Sequence, residues 1–112
     1  MKNSIEQLRQ ALATLQFNET MEIVEALYDF TPTGFTNGDT RNEAGENNGS
    51  CKLFAFAKIH DFTEAQTLAL FGEHYRNVLA TPDGDDHQNI RNFMKTGWAG
   101  ITFDGIALVE KT

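Results

Sequence analysis

Cysteine is almost missing from this 112-residue chain. Cys51 stands alone, which excludes an internal disulfide and fits a reducing compartment. Proline occurs twice, at Pro32 and Pro82, so no proline-rich linker is present and each proline marks a local stop. Basic residues are scarce, nine against sixteen acids, for a net charge of −7. No basic cluster follows a helix pattern, which sets aside nucleic acid and anionic membrane as partners. No stretch approaches the ~18 apolar residues of a membrane span. The opening MKNSIEQLRQALATL is amphipathic and too polar for a signal-peptide core. Without such a signal, the triplets Asn18-Glu19-Thr20 and Asn48-Gly49-Ser50 read as accidents of composition, not glycosylation acceptors. Catalytic strings are missing as well. There is no G-x-S-x-G and no H-E-x-x-H, and Gly97-x-x-Gly100 lies between helix and strand, the wrong order for a phosphate loop.

What is there describes one domain. Forty per cent of the residues are apolar, and nine are phenylalanine, enough for a real core at this length. The pattern predicts an α+β fold with about five helices. The first covers 4–15, with Ser4 and Gln7 as a capping box and Ile5, Leu8, Leu12 and Leu15 on one stripe. A second covers 19–30, apolar over nearly half its circumference, with Glu22, Glu25 and Asp29 as a solvated acidic ridge, ended by Thr31-Pro32. The segment 51–60 is apolar almost all round, which suits a central buried helix with Ser50 as N-cap. A fourth helix spans 64–79, capped by Thr63 and Gln66, and a fifth spans 87–96, with Asp86 as N-cap and Gly97 beyond its end. At the C-terminus, ITFDGIALV predicts a β-hairpin turning at Asp104-Gly105, with Phe103 opposite Ile106 and Ile101 opposite Leu108. A lone hairpin is barely stable in water, so a third short strand is expected from the 31–37 segment.

Between the second and third helices lies TPTGFTNGDTRNEAGENNGS, residues 31–50, with one aromatic and no Leu, Ile, Val or Met. So long a connection in a compact domain marks function or disorder. Asn37-Gly38 is a tight-turn signal, with Phe35 and Thr36 suited to a short strand before it. Asn47, Asn48 and Gly49 mark a second turn. The residues expected to bind are Asn37, Asp39, Arg41, Glu43, Asn47 and Asn48 from this loop, joined by Asn89 and Arg91 from the fifth helix. The partner expected is a protein or small molecule, and the chain itself is expected to be a monomer.

Two constellations suit chemistry. Cys51 at a helix start is where a thiol pKa falls, and His87 is the preferred base over His60 and His74, with Asn48 or Asn89 as orienting group. The plainer reading of Cys51 is a small buried core residue. His87 and Arg91 share a helix face, where Arg91 suits a carboxylate or phosphate. Its plainer role is to pin the 31–50 loop through Asp83, Asp85 or Glu43. Trp98 reads as a plug between helix and hairpin. The run Asp83 to His87 fails the calcium-loop spacing, because Met94 stands at the twelfth position, and no His/Cys spacing fits structural zinc, so no metal or cofactor is expected.

Four strings together carry a resemblance: YDFTPTGFTNGD (28–39), NEAGENNGSCKLFAFAKIH (42–60), FGEHYR (71–76) and DHQNIRNFMKTGWAGI (86–101). They resemble the HopJ family, type III effector proteins of Gram-negative bacteria, over roughly residues 20–103. The resemblance implies a small bacterial protein secreted through a type III system, and it carries over no activity and no catalytic residues. The resulting expectation is a non-enzymatic binding protein acting through 31–50 and the fifth helix. The alternatives are a small cysteine-dependent hydrolase or transferase, and a resident cytoplasmic housekeeping domain. The last is motivated by a capped helix at Ser4, where effectors carry a flexible Ser-rich leader.

Overall fold

The computed structural model describes the backbone of residues 2–111 and the side chains of residues 5–111; the Ser4–Gln7 capping box lies outside the described residues. Among the described residues there are six α-helices, five of them arranged around a central one and a β-ribbon. They are α1 (Lys2–Gln10), α2 (Phe17–Leu27), α3 (Asn48–Ile59), α4 (Glu64–Ala69), α5 (Glu73–Ala80) and α6 (Gln88–Thr96). A 3₁₀ turn, Gly97–Gly100, follows α6. The strands are β1 (Tyr28–Phe30), β2 (Phe35–Asn37), β3 (Thr40–Asn42), β4 (Ile101–Phe103) and β5 (Leu108–Glu110).

α3 is the buried centre that its all-round hydrophobicity predicts. Leu53, Phe54, Phe56 and Ala57 have no exposed surface. Phe54 is the hub: its ring meets Phe93 at 5.0 Å, Phe71 at 5.5 Å, Phe35 at 6.0 Å and Trp98 at 6.3 Å. α6, β2, the 3₁₀ turn and the link between α4 and α5 are thereby tied to α3 through aromatic edges and faces. Trp98 plugs the junction after α6 as expected, and its indole N–H donates to the Phe62 carbonyl at 3.1 Å.

The expected 4–15 helix ends at Gln10, and 11–14 form a turn. The backbone beyond it is needed elsewhere. Leu15–Phe17 lie against Gly72, where an added Cβ would stand 2.6 Å from the Phe17 nitrogen and 2.7 Å from the Leu15 oxygen. That contact also divides the expected 64–79 helix. Gly72 takes φ 60°, ψ −127°, a conformation open to glycine alone, and so α4 and α5 are separate. The Thr63–Gln66 capping box forms as expected.

α2 ends at Leu27, three residues before the expected end, because Tyr28–Phe30 leave the helix to pair with 108–110. The C-terminal strands flank Asp104-Gly105 as expected, but their ladders run to other partners. β4 pairs with β2 and β5 with β1, so the register Phe103–Ile106 and Ile101–Leu108 is not formed. The two ladders share one register. Phe30 faces Leu108, and five residues on, Phe35 faces Phe103, five residues back. Thr31 N–H donates to the Ala107 carbonyl at 2.8 Å and Asp104 N–H to the Gly34 carbonyl at 2.9 Å, bridging the gap. Segment 101–110 is therefore one long strand, bent at Asp104-Gly105, lying antiparallel along 28–37. Pro32, opposite Ile106 just past the bend, has no N–H to give the ladder. The third strand expected from 31–37 is β2, and the Asn37-Gly38 signal marks the β2–β3 hairpin.

Candidate functional site

The 31–50 segment is an ordered wall, not an open loop. β2 and β3 fix its middle, and Asn47 starts α3. Asn47 takes the left-handed conformation (φ 52°, ψ 48°), and His87 does the same before α6 (φ 50°, ψ 50°). Positive φ is uncommon outside glycine, and Asn and His are among the residues that tolerate it. In that geometry neither side chain caps its own helix. The expected caps, Ser50 and Asp86, are displaced: Ser50 falls inside the first turn of α3, and Asp86 lies two residues before α6. Neither helix carries an acid in its first turn.

Both N-termini open on one cleft of about 480 Å³. Its walls include Asn47, Gly49 and Ser50 from α3, and His87 and Asn89 from α6. Phe17, stacked on Phe71 with centroids 6.1 Å apart, lies at its base. His74 of α5 sets its ring against Phe17 at 5.0 Å and against His87 at 5.1 Å. Gly49 permits this closeness, since a Cβ there would stand 2.9 Å from Phe17 Cζ. Glu73 holds the start of α2 in place by accepting the Phe17 N–H at 2.7 Å, a bond that lowers its carboxyl pKa.

Among the described residues no acidic one lines the cleft, and Asp86 Oδ2 stands 3.9 Å from His87 Nε2 at its margin. The first turns of helices leave N–H groups without intrahelical acceptors and carry the positive end of the dipole. The amides of Asn48, Gly49 and Ser50, and those of Gln88 and Asn89, have no acceptor among the described residues. Two such ends and two imidazoles meet here. The arrangement can hold negative charge; among the described residues it has no third ligand to make a metal cluster with the two histidines.

Behind the cleft a network of asparagines locks the wall. Asn89 Oδ1 accepts from Asn37 Nδ2 at 3.0 Å and Asn42 Nδ2 at 3.1 Å, and Asn89 Nδ2 donates to Asn42 Oδ1 at 3.0 Å. Asn47 Nδ2 adds a bond to Asn42 Oδ1 at 2.7 Å. Asn37 and Asn42 are wholly buried. The network ties β2 and β3 to both helix starts.

The expected binding residues thus divide into three sets. Asn47 and Asn89 line the cleft, and Asn37 supports it from behind. Arg41, Glu43 and Asp39 are elsewhere: Arg41 joins Glu43 at 3.1 Å and Asp104, tying β3 to the bend in the long strand, and Asp39 sits in the hairpin turn. Asn48 begins α3 without lining the cleft. Arg91 turns away from the 31–50 segment. It donates to the Thr81 carbonyl at 2.9 Å and to Asp86 Oδ1 at 2.7 Å, and so pins the 81–86 turn. Neither Asp83, Asp85 nor Glu43 is its partner.

Cys51 is 1 % exposed, and its thiol donates to the Thr33 carbonyl at 3.4 Å. Burial pushes its pKa up, opposite to the shift expected at a helix start. It does not line the cleft with His87. Sequence reasoning missed Phe17, Phe71 and Asn42. The three-residue spacing of Phe71 and His74 in FGEHYR was the available signal for the first group. Four asparagines within 31–50 were the signal for the network.

No curated protein matches the chain. A solved structure does: the crystal structure of a protein of unknown function, VPA0580, is 52 % identical, with a TM-score of 0.89 over 95 % of this chain and 92 % of that one. The family described as HopJ type III effector protein matches residues 1–108. The chain belongs to that HopJ family.

Proposed function

We propose that this protein acts by binding, and that the cleft between α3 and α6 takes a small anionic group, a phosphate or carboxylate. The carrying observation is the convergence of two uncapped, acid-free helix N-termini and two histidines on one concavity. Helix N-termini stabilise anions through unpaired amides and the dipole together. A rigid floor of Phe17 and Phe71 and the asparagine network behind Asn89 preorganise the donors, which lowers the ordering cost of binding. The position of Cys51, buried and bonded to a carbonyl, favours binding over thiol catalysis. The family supports a second element of the reading: export from a Gram-negative cell through a type III system.

The test is titration of the intact protein with inorganic phosphate, followed by amide shifts. Saturable shifts at Gly49, Ser50, Gln88 and Asn89, lost in His87→Ala and in Ser50→Asp, are expected. Ser50→Asp puts a carboxylate in the first turn of α3, where it occupies the charge the ligand would take. Uniform, non-saturating shifts would remove the anion reading. A secretion assay with and without a functional type III apparatus decides the export element.

A further inference from the structure

The long strand 101–110 has one paired edge and one bare edge. Gly38 N–H donates to the Gly100 carbonyl, Asp104 N–H to Gly34, Thr31 N–H to Ala107 and Lys111 N–H to Leu27. These bonds turn residues 100, 104, 107 and 111 toward 28–37. Backbone groups alternate in an antiparallel ladder, so those of Phe103, Leu108 and Glu110, with the carbonyl of Ile101, point the other way. The N–H of Ile101 is already given to Trp98. Among the described residues no further strand covers this edge. Beside it runs a groove of about 600 Å³ lined by the strand and by Ala55, Lys58 and Ile59 of α3. Ile106 is 76 % exposed and Ile59 49 %. A bare strand edge flanked by exposed isoleucines is a template for pairing, the feature that isolated proteins blunt.

The edge is complementary to itself. About a twofold axis between Gly105 and Ile106, Phe103 of one copy falls opposite Leu108 of the other, and Ile101 opposite Glu110. Every outward-facing residue then meets an outward-facing residue. The same operation brings together two charges that form no ion pair among the described residues. Lys58, in the groove with Ile101 and 5.9 Å from the Phe103 ring centroid, has no ion pair among the described residues. Glu110, at the other end of the edge, has none either. In a protein with sixteen acids and nine bases, a lysine without an ion pair in this groove is informative.

We propose that the 101–110 edge is a homodimer interface, in which two copies pair antiparallel about that axis. The β3-β2-β4 sheet of each copy then joins the β5-β1 ladder of the other, with the Lys58 of each copy facing the Glu110 of the other. Such isologous contacts are the commonest closed assemblies. The proposal departs from the monomer expected from the sequence.

The experiment is sedimentation velocity on the full chain from micromolar to near-millimolar concentration, with the native fold of each variant checked by circular dichroism. A concentration-dependent dimer is expected. Lys58→Glu and Glu110→Lys should each weaken it about tenfold, since each turns two attractive contacts repulsive. The double exchange, Lys58→Glu with Glu110→Lys, should restore it, and Ile106→Lys should abolish it. A single-copy mass at every concentration overturns the proposal. So does a dimer indifferent to both charge reversals, which would place its interface elsewhere.

Discussion

Asn89→Ala tests whether the buried asparagine network holds the site together. Asn89 makes three side-chain hydrogen bonds: two accepted by Oδ1, from Asn37 and Asn42, and one donated by Nδ2 to Asn42. Their loss is uneven. Asn37 Nδ2 keeps the Asn89 backbone carbonyl at 2.8 Å, and Asn42 Oδ1 keeps Asn47 Nδ2 at 2.7 Å. Asn42 Nδ2 keeps nothing, and Asn42 is wholly buried. One orphaned buried donor costs about 1–3 kcal/mol, and the two weakened groups add about 1 kcal/mol between them. The expected loss is therefore about 2–4 kcal/mol, a large share of the ~5–15 kcal/mol that holds a domain folded. Urea unfolding followed by Trp98 fluorescence should show the midpoint falling by about 1–2 M at an ordinary slope. Asn89→Asp should fare no better, because its second oxygen faces Asn42 Oδ1 where an N–H₂ is needed. A loss below about 0.5 kcal/mol for Asn89→Ala would refute the reasoning, since surface-like behaviour means the three bonds are not carrying the wall.

Gly72→Ala should destabilise by at least ~2 kcal/mol, from the forbidden φ together with a Cβ driven into the Leu15–Phe17 backbone, and thermal unfolding checks it. Burial first, then the Arg9 charge, lowers the pKa of His60, which shares a 2.8 Å hydrogen bond with the Tyr28 hydroxyl. The unfolded chain takes up this proton below the ordinary imidazole value of about 6.5 while the folded chain resists it. Stability should thus be full above that pH and decline as pH falls below it; His60→Gln should flatten that part of a urea-midpoint profile. Arg91→Ala should raise amide exchange across 81–86 and leave 31–50 unchanged, as its bonds to Thr81 and Asp86 require. Cys51 should alkylate only on unfolding, and a rapid native reaction would contradict its burial.

Where a signal was local, it could be read without the structure. The Thr63–Gln66 capping box, the buried character of 51–60, the glycine after α6 and the strand at Phe35 each depend on neighbours within a few residues. Cys51 as a core residue and Trp98 as a plug follow from residue type. The misread elements depended on distant chain. Asp104-Gly105 has the composition of a hairpin turn, yet 28–37 competes for the same strand and offers a longer ladder. Arg91 had several acids within reach by number, yet the carbonyls of 81 and 82 and Asp86 lay nearer in space.

The site shows the same division. Sequence by itself determined that 31–50 and the start of the last helix belong together as polar, glycine- and asparagine-rich segments between apolar ones, and that the chain is a HopJ protein. It could not determine that Asn47 and His87 would both adopt left-handed angles, or that α5 would carry His74 up to His87. Those outcomes rest on packing around Phe54 and on Gly72, which bring three helix ends to one point. Hydrophobic periodicity says which face of a helix is buried; only the closed core decides which helix ends meet, and it is the ends that carry the charge.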